Sequence, residues 1–118
     1  MGSRGSSAGG GSVPNGWQIV DYVHGIAVLQ PTNPKQSFSL PRESNIPNVA
    51  YLLYDRKGVF KQFRVYGDDK KPKFDIDYHM KDGEMSLHKH IYINGVRQKE
   101  HIPLTPEEYA EYSKFLNR

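Results

Sequence analysis

The chain contains no cysteine and no long apolar run. The absence of cysteine excludes a disulfide scaffold and a zinc site built from thiolates. No apolar segment approaches the length of a membrane helix or of a signal-peptide core. The sequence also has no internal repeat. Any chemistry therefore depends on histidines, carboxylates, tyrosines and basic side chains.

Length and composition predict one small globular domain. The apolar share is 36% and the charged share 25%, a balance typical of a folded chain and not of a disordered one. Residues 1–12 are mostly glycine and serine, which predicts a flexible leader or linker. We therefore predict that residues 13–118 form a single domain, with a sheet over 49–102 and a helix over 105–117.

Positive charge is concentrated in the second half of the chain. Between Arg56 and Lys99, eleven Lys/Arg oppose six Asp/Glu, although the whole chain carries a net charge of only +3. A polyanionic partner would fit this excess, and so would a solvated surface. Charge alone does not choose between the two.

Five segments after residue 48 carry strand signals. An Asn94-Gly95 pair, the strongest short hairpin signal in the chain, joins the last two segments. We interpret the polar stretch at 80–86 as a loop between the third and fourth. The pattern predicts an antiparallel meander of about five strands, over NVAYLLY, VFKQFRVY, KFDIDYH, LHKHIYI and VRQKEHI.

The chain ends in a strong helix signal. Thr105 is suited to the N-cap, Pro106 to the first helical position and Glu108 to the acidic position of a capping box. We predict that this helix packs on one face of the sheet. Residues 13–48 are proline-rich and irregular apart from a helix or strand pair at 17–30, and we expect them to cover the same face. The predicted fold class is therefore α+β.

Alternation along the predicted strands directs polar side chains to the face opposite the helix. Successive side chains in a strand point to opposite faces, and the apolar residues occupy the face under the helix. The Asn94-Gly95 turn sets a register that places Tyr92 opposite Arg97, His90 opposite Lys99 and His88 opposite His101. The other face then carries Arg64, Tyr66, Asp75, Asp77, His79, His88, His90, Tyr92, Arg97, Lys99 and His101.

These side chains are suited to acid–base chemistry at a phosphate. A histidine pair can provide one base and one acid near neutral pH, and basic side chains offset the charge of the transition state. The set fits metal-independent RNA cleavage, with His88 and His90 as the acid/base pair and His79 or His101 as a third. We expect Asp75 and Asp77 to orient their neighbours. The residues predicted to bind substrate are Arg64, Tyr66, Tyr92, Arg97 and Lys99.

Two other uses of this face remain open. The His-x-His pair could bind a metal, with His79, His101 or Asp77 completing a tetrahedral zinc or a 2-His-1-carboxylate site. Lys89 and Lys99 lie next to these histidines in the predicted sheet, and their positive charges disfavour a dication there. Alternatively, the face is a solvated surface in which cross-strand charge pairs stabilise the sheet by about 0.2–1 kcal/mol each. We expect no metal and no cofactor.

Residues 51–109 resemble small domains of bacterial polymorphic toxins and of phage or mobile-element proteins. The shared motifs are Y-D-x-x-G, an Arg-x-Tyr strand, D-I-D-Y, a His-x-His strand and P-L-T-x-E-E. Such domains resemble the barnase/colicin/RelE-like class of metal-independent ribonucleases, which implies a helix-plus-antiparallel-sheet fold and RNA as substrate. By position, the resemblance implies functional roles for Arg64, Tyr66, Asp75, Asp77, Tyr78, His88 and His90.

The chain departs from this family pattern at three points: Tyr92 stands where tryptophan is expected, no proline precedes His88, and the usual extra prolines between His79 and His88 are absent. The resemblance implies RNA as a partner and an immunity or scaffold protein as a second. Because no apolar run is long enough to span a bilayer, we expect no membrane partner. We expect a soluble protein, cytoplasmic or a delivered effector. The alternative function is a non-catalytic binding or structural module of a phage or mobile-element protein.

Overall fold

A seven-stranded sheet forms the frame of the domain. The computed structural model describes residues 13–117, so the leader predicted at 1–12 lies outside the described residues. The strands follow one another across the sheet in sequence order, and all neighbours are antiparallel except β2 and β3, which are parallel. They are β1 (Trp17–Val23), β2 (Ile26–Pro31), β3 (Ala50–Tyr54), β4 (Phe60–Tyr66), β5 (Pro72–Lys81), β6 (Glu84–Ile93) and β7 (Val96–Arg97).

The predicted α+β class is confirmed, but the sheet has two more strands than the five predicted. The additional pair is the β1–β2 hairpin, formed by the segment at 17–30 that sequence patterns left open between helix and strands. Short apolar runs carry too little periodicity to separate these alternatives.

Three two-residue turns set the register of the hairpins. In His24-Gly25, Asp82-Gly83 and Asn94-Gly95 both residues have positive φ, as a type I′ turn requires. The Asp82-Gly83 turn pairs Lys81 with Glu84, so β5 and β6 each run for ten residues. The loop predicted over this stretch is therefore wrong, because most of its residues continue the ladder.

Replacement of Gly83 by alanine should destabilise the β5–β6 turn. Gly83 has a φ of +83° and nothing within 4 Å of an added Cβ, so the cost is backbone strain alone, about 1–2 kcal/mol. Urea unfolding should show this loss. Gly83→Asn should lose less, since asparagine tolerates left-handed backbone. An alanine variant as stable as the parent would contradict the turn geometry.

The helix α1 (Pro106–Tyr112) begins at the predicted capping box. Thr105 Oγ1 accepts a hydrogen bond from the Glu108 N–H at 3.1 Å, and Glu108 Oε1 accepts one from the Thr105 N–H at 3.0 Å. A 3₁₀ helix at Ser113–Asn117 continues it and carries the buried Phe115. No helix in the part of the chain that the structure describes is long and apolar enough to cross a bilayer.

Apolar side chains pack on both faces of the sheet. The cluster under the helix contains Val23, Val28, Leu52, Tyr54, Phe60, Phe63, Ile76, Leu87 and Phe115. Because neighbouring residues of β3 point to opposite faces, Tyr51 and Leu53 belong to the other face. The cluster there contains Val13, Leu29, Leu40, Tyr51, Leu53 and Tyr66. The polar part of this second face lies on β4, β5, β6 and β7.

Residues 32–49 cross the polar face of the sheet. The parallel pairing of β2 with β3 requires a crossover over one face. Leu40 N–H donates to Gln62 Oε1 at 2.9 Å, and Arg64 Nη1 donates to the carbonyls of Leu40 and Pro41 at 2.8 and 3.0 Å. The prediction that the N-terminal segment covers the helix side is therefore wrong. Local signals of an irregular segment do not specify the face against which it packs.

Candidate functional site

The register of β4, β5 and β6 brings most of the predicted polar residues together. Asp75 pairs with Arg64 on one side and with His90 on the other. Asp77 pairs with His88. These side chains lie on the face opposite the helix. The alternation of side chains along the central strands therefore agrees with the prediction.

Arg64 and Asp75 form a buried bidentate ion pair. Nε lies 2.7 Å from Oδ1 and Nη2 lies 3.0 Å from Oδ2. Nη2 also donates to Tyr92 Oη at 2.9 Å, and that hydroxyl donates to Asp75 Oδ2 at 2.7 Å. Burial acts to lower the pKa of Arg64, but the hydrogen bond and charge of Asp75 outweigh it and hold this pKa above its ordinary value.

The guanidinium of Arg64 has no N–H left for a substrate. Its five donors are used by Asp75, by Tyr92 and by the carbonyls of Leu40 and Pro41. A phosphate could contact Arg64 only by displacing one of these acceptors. In this arrangement Arg64 fastens the crossover segment to the sheet.

Two tyrosines predicted to contact substrate use their hydroxyls inside the protein. Tyr66 is 1% exposed and its hydroxyl donates to the Pro41 carbonyl at 2.5 Å, so its ring is not accessible to a base. Tyr92 is half-buried. Burial raises the pKa of both tyrosines. In contrast, the side chain of Arg97 is 45% exposed, and Lys99 is exposed.

Asp77, Arg97 and His90 form a second polar group. Arg97 Nη2 donates to Asp77 Oδ2 at 2.5 Å, and His90 Nε2 lies 3.5 Å from the same oxygen. Burial and then the charge of Asp75 raise the pKa of Asp77 to about 6, although Arg97 acts to lower it. Burial, followed by the charges of Arg97 and His101, lowers the pKa of His90 to about 4. His90 is therefore a neutral ring at neutral pH.

Four histidines are in contact at the edge of this polar face. The rings of His79 and His88 stack with centroids 4.2 Å apart and planes 18° apart. The His101 ring meets both edge-on at 5.3 Å and lies 4.4 Å from the His90 ring. Ser86 Oγ lies 2.8 Å from His88 Nε2. His88 and His90 are buried, His79 is partly exposed and His101 is exposed.

The return strand predicted after the Asn-Gly turn is interrupted. Tyr92 pairs with Arg97, as predicted. The next pairing is between Lys89 and Ile102, where a continuous ladder would have paired Lys89 with Glu100. Two extra residues therefore leave the ladder between these two points.

This interruption changes the neighbours of the predicted histidines. His101 was expected opposite His88, and Lys99 opposite His90. Instead, the His101 ring lies closer to His90, at 4.4 Å, than to His88, at 5.3 Å, and Lys99 is outside the strands. The predicted register is wrong beyond Arg97, because a two-residue turn sets the pairing only while the ladder is continuous.

Two neighbouring clefts border the polar face. The larger has a volume of about 790 Å³, and its lining includes Trp17, Arg42, Tyr92 and Arg97. The smaller has a volume of about 400 Å³, and its lining includes Ser37, Asp77, His79 and Arg97. The exposed guanidinium of Arg97 therefore connects an aromatic, basic cleft with the histidine cluster.

Several contributors to the site were not among the predicted residues. Gln62 Nε2 donates to the buried carboxylate of the ion pair at 3.3 Å, Ser86 contacts a stacked histidine, and Trp17 lines the larger cleft. Ser86 could have been found, because Asp82-Gly83 is itself a hairpin signal that extends the ladder to that residue. Trp17 reaches the larger cleft from the start of β1, and Leu40 reaches the site from the crossover segment. Neither placement has a local signal in the sequence.

The fold and site define an α+β protein whose polar sheet face joins a buried ion pair to a histidine cluster. Comparisons with protein-family models, curated proteins and solved structures find no match for this chain. The resemblance to toxin and mobile-element domains therefore stays a prediction from sequence motifs. The chemistry of the site is then the basis for assigning a function.

Proposed function

We propose that the protein is a metal-independent RNA-cleaving domain of a toxin or of a phage or mobile-element protein. The observation that carries the proposal is the contact of four imidazoles beside the exposed Arg97. Such a group can present a neutral and a protonated imidazole together. A guanidinium beside them can offset the charge that develops on a phosphate.

The reaction needs one base and one acid. The base removes the proton of a ribose 2′-hydroxyl, and the 2′-oxygen attacks the adjacent phosphorus. The acid gives a proton to the departing 5′-oxygen, whose bond to phosphorus breaks. The products are a 2′,3′-cyclic phosphate and a free 5′-hydroxyl, and no metal or redox partner is required.

Burial changes which histidines we assign to these roles. His90 is 3% exposed and its pKa is about 4, so it does not carry the proton that an acid needs near pH 7. His88 is 8% exposed, so little of it reaches solvent. We assign the acid and base to His79 and His101, whose rings are 5.3 Å apart and reach solvent. His88 then acts as a positioning residue, held by Ser86.

The clefts offer a path for a single strand of RNA. Trp17 and Tyr92 line the larger cleft, where a base could stack on an aromatic ring. Arg42 lines the same cleft, and Arg97 lines both. A strand whose base occupies the larger cleft would place a neighbouring phosphate near Arg97 and the histidine cluster.

Incubation with total tRNA in EDTA should yield fragments that end in 2′,3′-cyclic phosphate. His79→Gln and His101→Gln should each lower the cleavage rate by about 10²–10⁴-fold, the contribution of a positioned acid or base. The matched control is His24→Gln, because His24 is an exposed histidine whose ring contacts Phe115 on the helix side. Intact RNA, or equal rates in all variants, would reject the proposal.

One observation favours a second function, namely binding of RNA or of an acidic protein without cleavage. Arg64, Tyr66 and Tyr92 direct their polar groups into the protein, which makes this part of the face a rigid surface. A binding module would retain RNA in a filter assay, with an affinity that falls as salt rises, and would leave it intact. Arg42→Ala and Arg97→Ala should weaken binding in either case, so cleavage distinguishes the two functions.

A further inference from the structure

We propose that His79, His88 and His101 form a binding site for a zinc ion. Each of these residues offers one ring nitrogen, and the three nitrogens lie within 4.8 Å of one another. The ligands come from β5, from β6 and from the segment that follows β7. A bound ion would therefore connect the β5–β6 hairpin to the return segment. Formation of this site does not depend on RNA cleavage.

The ligand set differs from the one that the sequence pattern indicated. The His-x-His motif places His88 and His90 on the same face of β6, but His90 is not part of the group of close nitrogens. The other two ligands are His79, which stacks on His88 from β5, and His101, which follows the interrupted part of the return strand. The proposed site is thus a product of the strand pairing and not of one local motif.

Coordination requires one ring to turn. Zinc lies about 2.0–2.1 Å from each nitrogen in a tetrahedral site, so ligand nitrogens are about 3.4 Å apart. The rings of His79 and His88 are stacked, with planes 18° apart, whereas a metal lies in the plane of each ring that binds it. His88 is buried and contacts Ser86, while His79 is more exposed. Rotation of the His79 ring about its Cβ–Cγ bond is the adjustment we expect.

The surrounding charges are compatible with a divalent cation. Lys89, the neighbour of His88 in sequence, points to the opposite face, where its Nζ bonds Glu108 Oε2 at 2.8 Å. The charge of Lys89 is therefore directed away from the histidines and does not disfavour a cation there, contrary to the expectation from sequence. Asp77 pairs with His88 across the ladder and offers a largely buried carboxylate, which it shares with Arg97. This negative charge lies on the same face as the histidines.

The donor set indicates the class of metal. Imidazole nitrogens favour zinc and its transition-metal neighbours over magnesium and calcium, which prefer oxygen. Three histidines leave a fourth position for water, as in open zinc sites. The ligands must be neutral to bind, so protons compete with the metal.

Isothermal titration of Zn²⁺ into the full chain, after treatment with EDTA and its removal, tests the site. We expect saturable binding of one ion per chain and weaker binding as the pH falls, because protons compete with the metal for the ring nitrogens. Co²⁺ should give the visible absorption of a tetrahedral complex. His79→Gln and His101→Gln should each lower the affinity at least about 10–100-fold, and His24→Gln should not change it.

No saturable binding of either ion to the parent chain would overturn the zinc site. Unchanged affinity in both His79→Gln and His101→Gln would overturn it as well, as would an equal loss in His24→Gln. Circular dichroism checks that each variant is folded, which we expect because both rings reach solvent. The titration contains no RNA. Failure of RNA cleavage in EDTA therefore leaves the zinc site standing, and failure of zinc binding leaves the cleavage proposal standing.

Discussion

Arg64→Met should lower the free energy of unfolding by about 3–5 kcal/mol, the usual cost of removing one partner of a buried ion pair. The substitution leaves the carboxylate of Asp75, which is 0% exposed, without its bidentate partner. Among the residues that the structure describes, only the more distant Arg97 Nε, 3.9 Å from Asp75 Oδ2, still forms an ion pair with it. It also removes the donor that holds the carbonyls of Leu40 and Pro41. For a domain of this size the melting temperature should fall by more than about 10 °C.

Two further variants identify the cause of this loss. Arg42→Met replaces an exposed arginine on the same crossover segment and should change stability by no more than about 0.5 kcal/mol. The double variant Arg64→Met/Asp75→Leu should recover much of the stability, because replacing both partners by apolar residues is often neutral. Recovery would show that the carboxylate of Asp75, left without Arg64, causes the loss of stability. An Arg64→Met variant as stable as the parent would contradict the buried pair.

Asp77→Asn and His90→Asn should change the pH dependence of stability in opposite directions. The pKa of His90 is lowered from 6.5 to about 4, so between these values the unfolded chain binds more protons and stability falls as pH falls. The pKa of Asp77 is raised from 3.8 to about 6, so between these values the native state binds more protons and stability rises as pH falls. Each contribution amounts to about 3 kcal/mol over its window.

In the parent protein these two contributions nearly cancel between about pH 4 and 6. Asp77→Asn removes the stability that the native state gains when Asp77 is protonated, so the free energy of unfolding should fall as the pH is lowered through this range. His90→Asn removes the loss of stability that arises because His90 is protonated on unfolding, so the free energy of unfolding should rise. Urea unfolding at a series of pH values measures both slopes. The other charges that act on these groups are present in both variants; they are Arg64, Asp75, Arg97 and His101.

Slopes of the same sign in the two variants would contradict the assignment of these pKa shifts. Asp82→Asn provides the control, because Asp82 is exposed in the β5–β6 turn, and it should follow the profile of the parent. A parent that loses several kcal/mol between pH 6 and 4 while His90→Asn loses the same amount would exclude His90 as the cause.

Features that depend on local rules could be predicted from the amino-acid sequence. Alternation in KFDIDYH and LHKHIYI placed Asp77 and His88 on one face, because the side-chain period of a strand is two whatever packs against it. The capping box at Thr105 and Glu108 marked the start of the helix, because both of its hydrogen bonds lie within four residues. The Asn94-Gly95 turn set the first pairs of the last hairpin.

The way in which this face is covered, and the choice of residues that reach solvent, depend on long-range contacts. The parallel pairing of β2 with β3 sends the crossover over the polar face, where Arg64 bonds the carbonyl of Leu40, 24 residues away. That contact makes Arg64 structural. Two residues that leave the ladder bring His101 beside His90. Such outcomes depend on which distant surfaces meet, and local propensity carries no information about that choice.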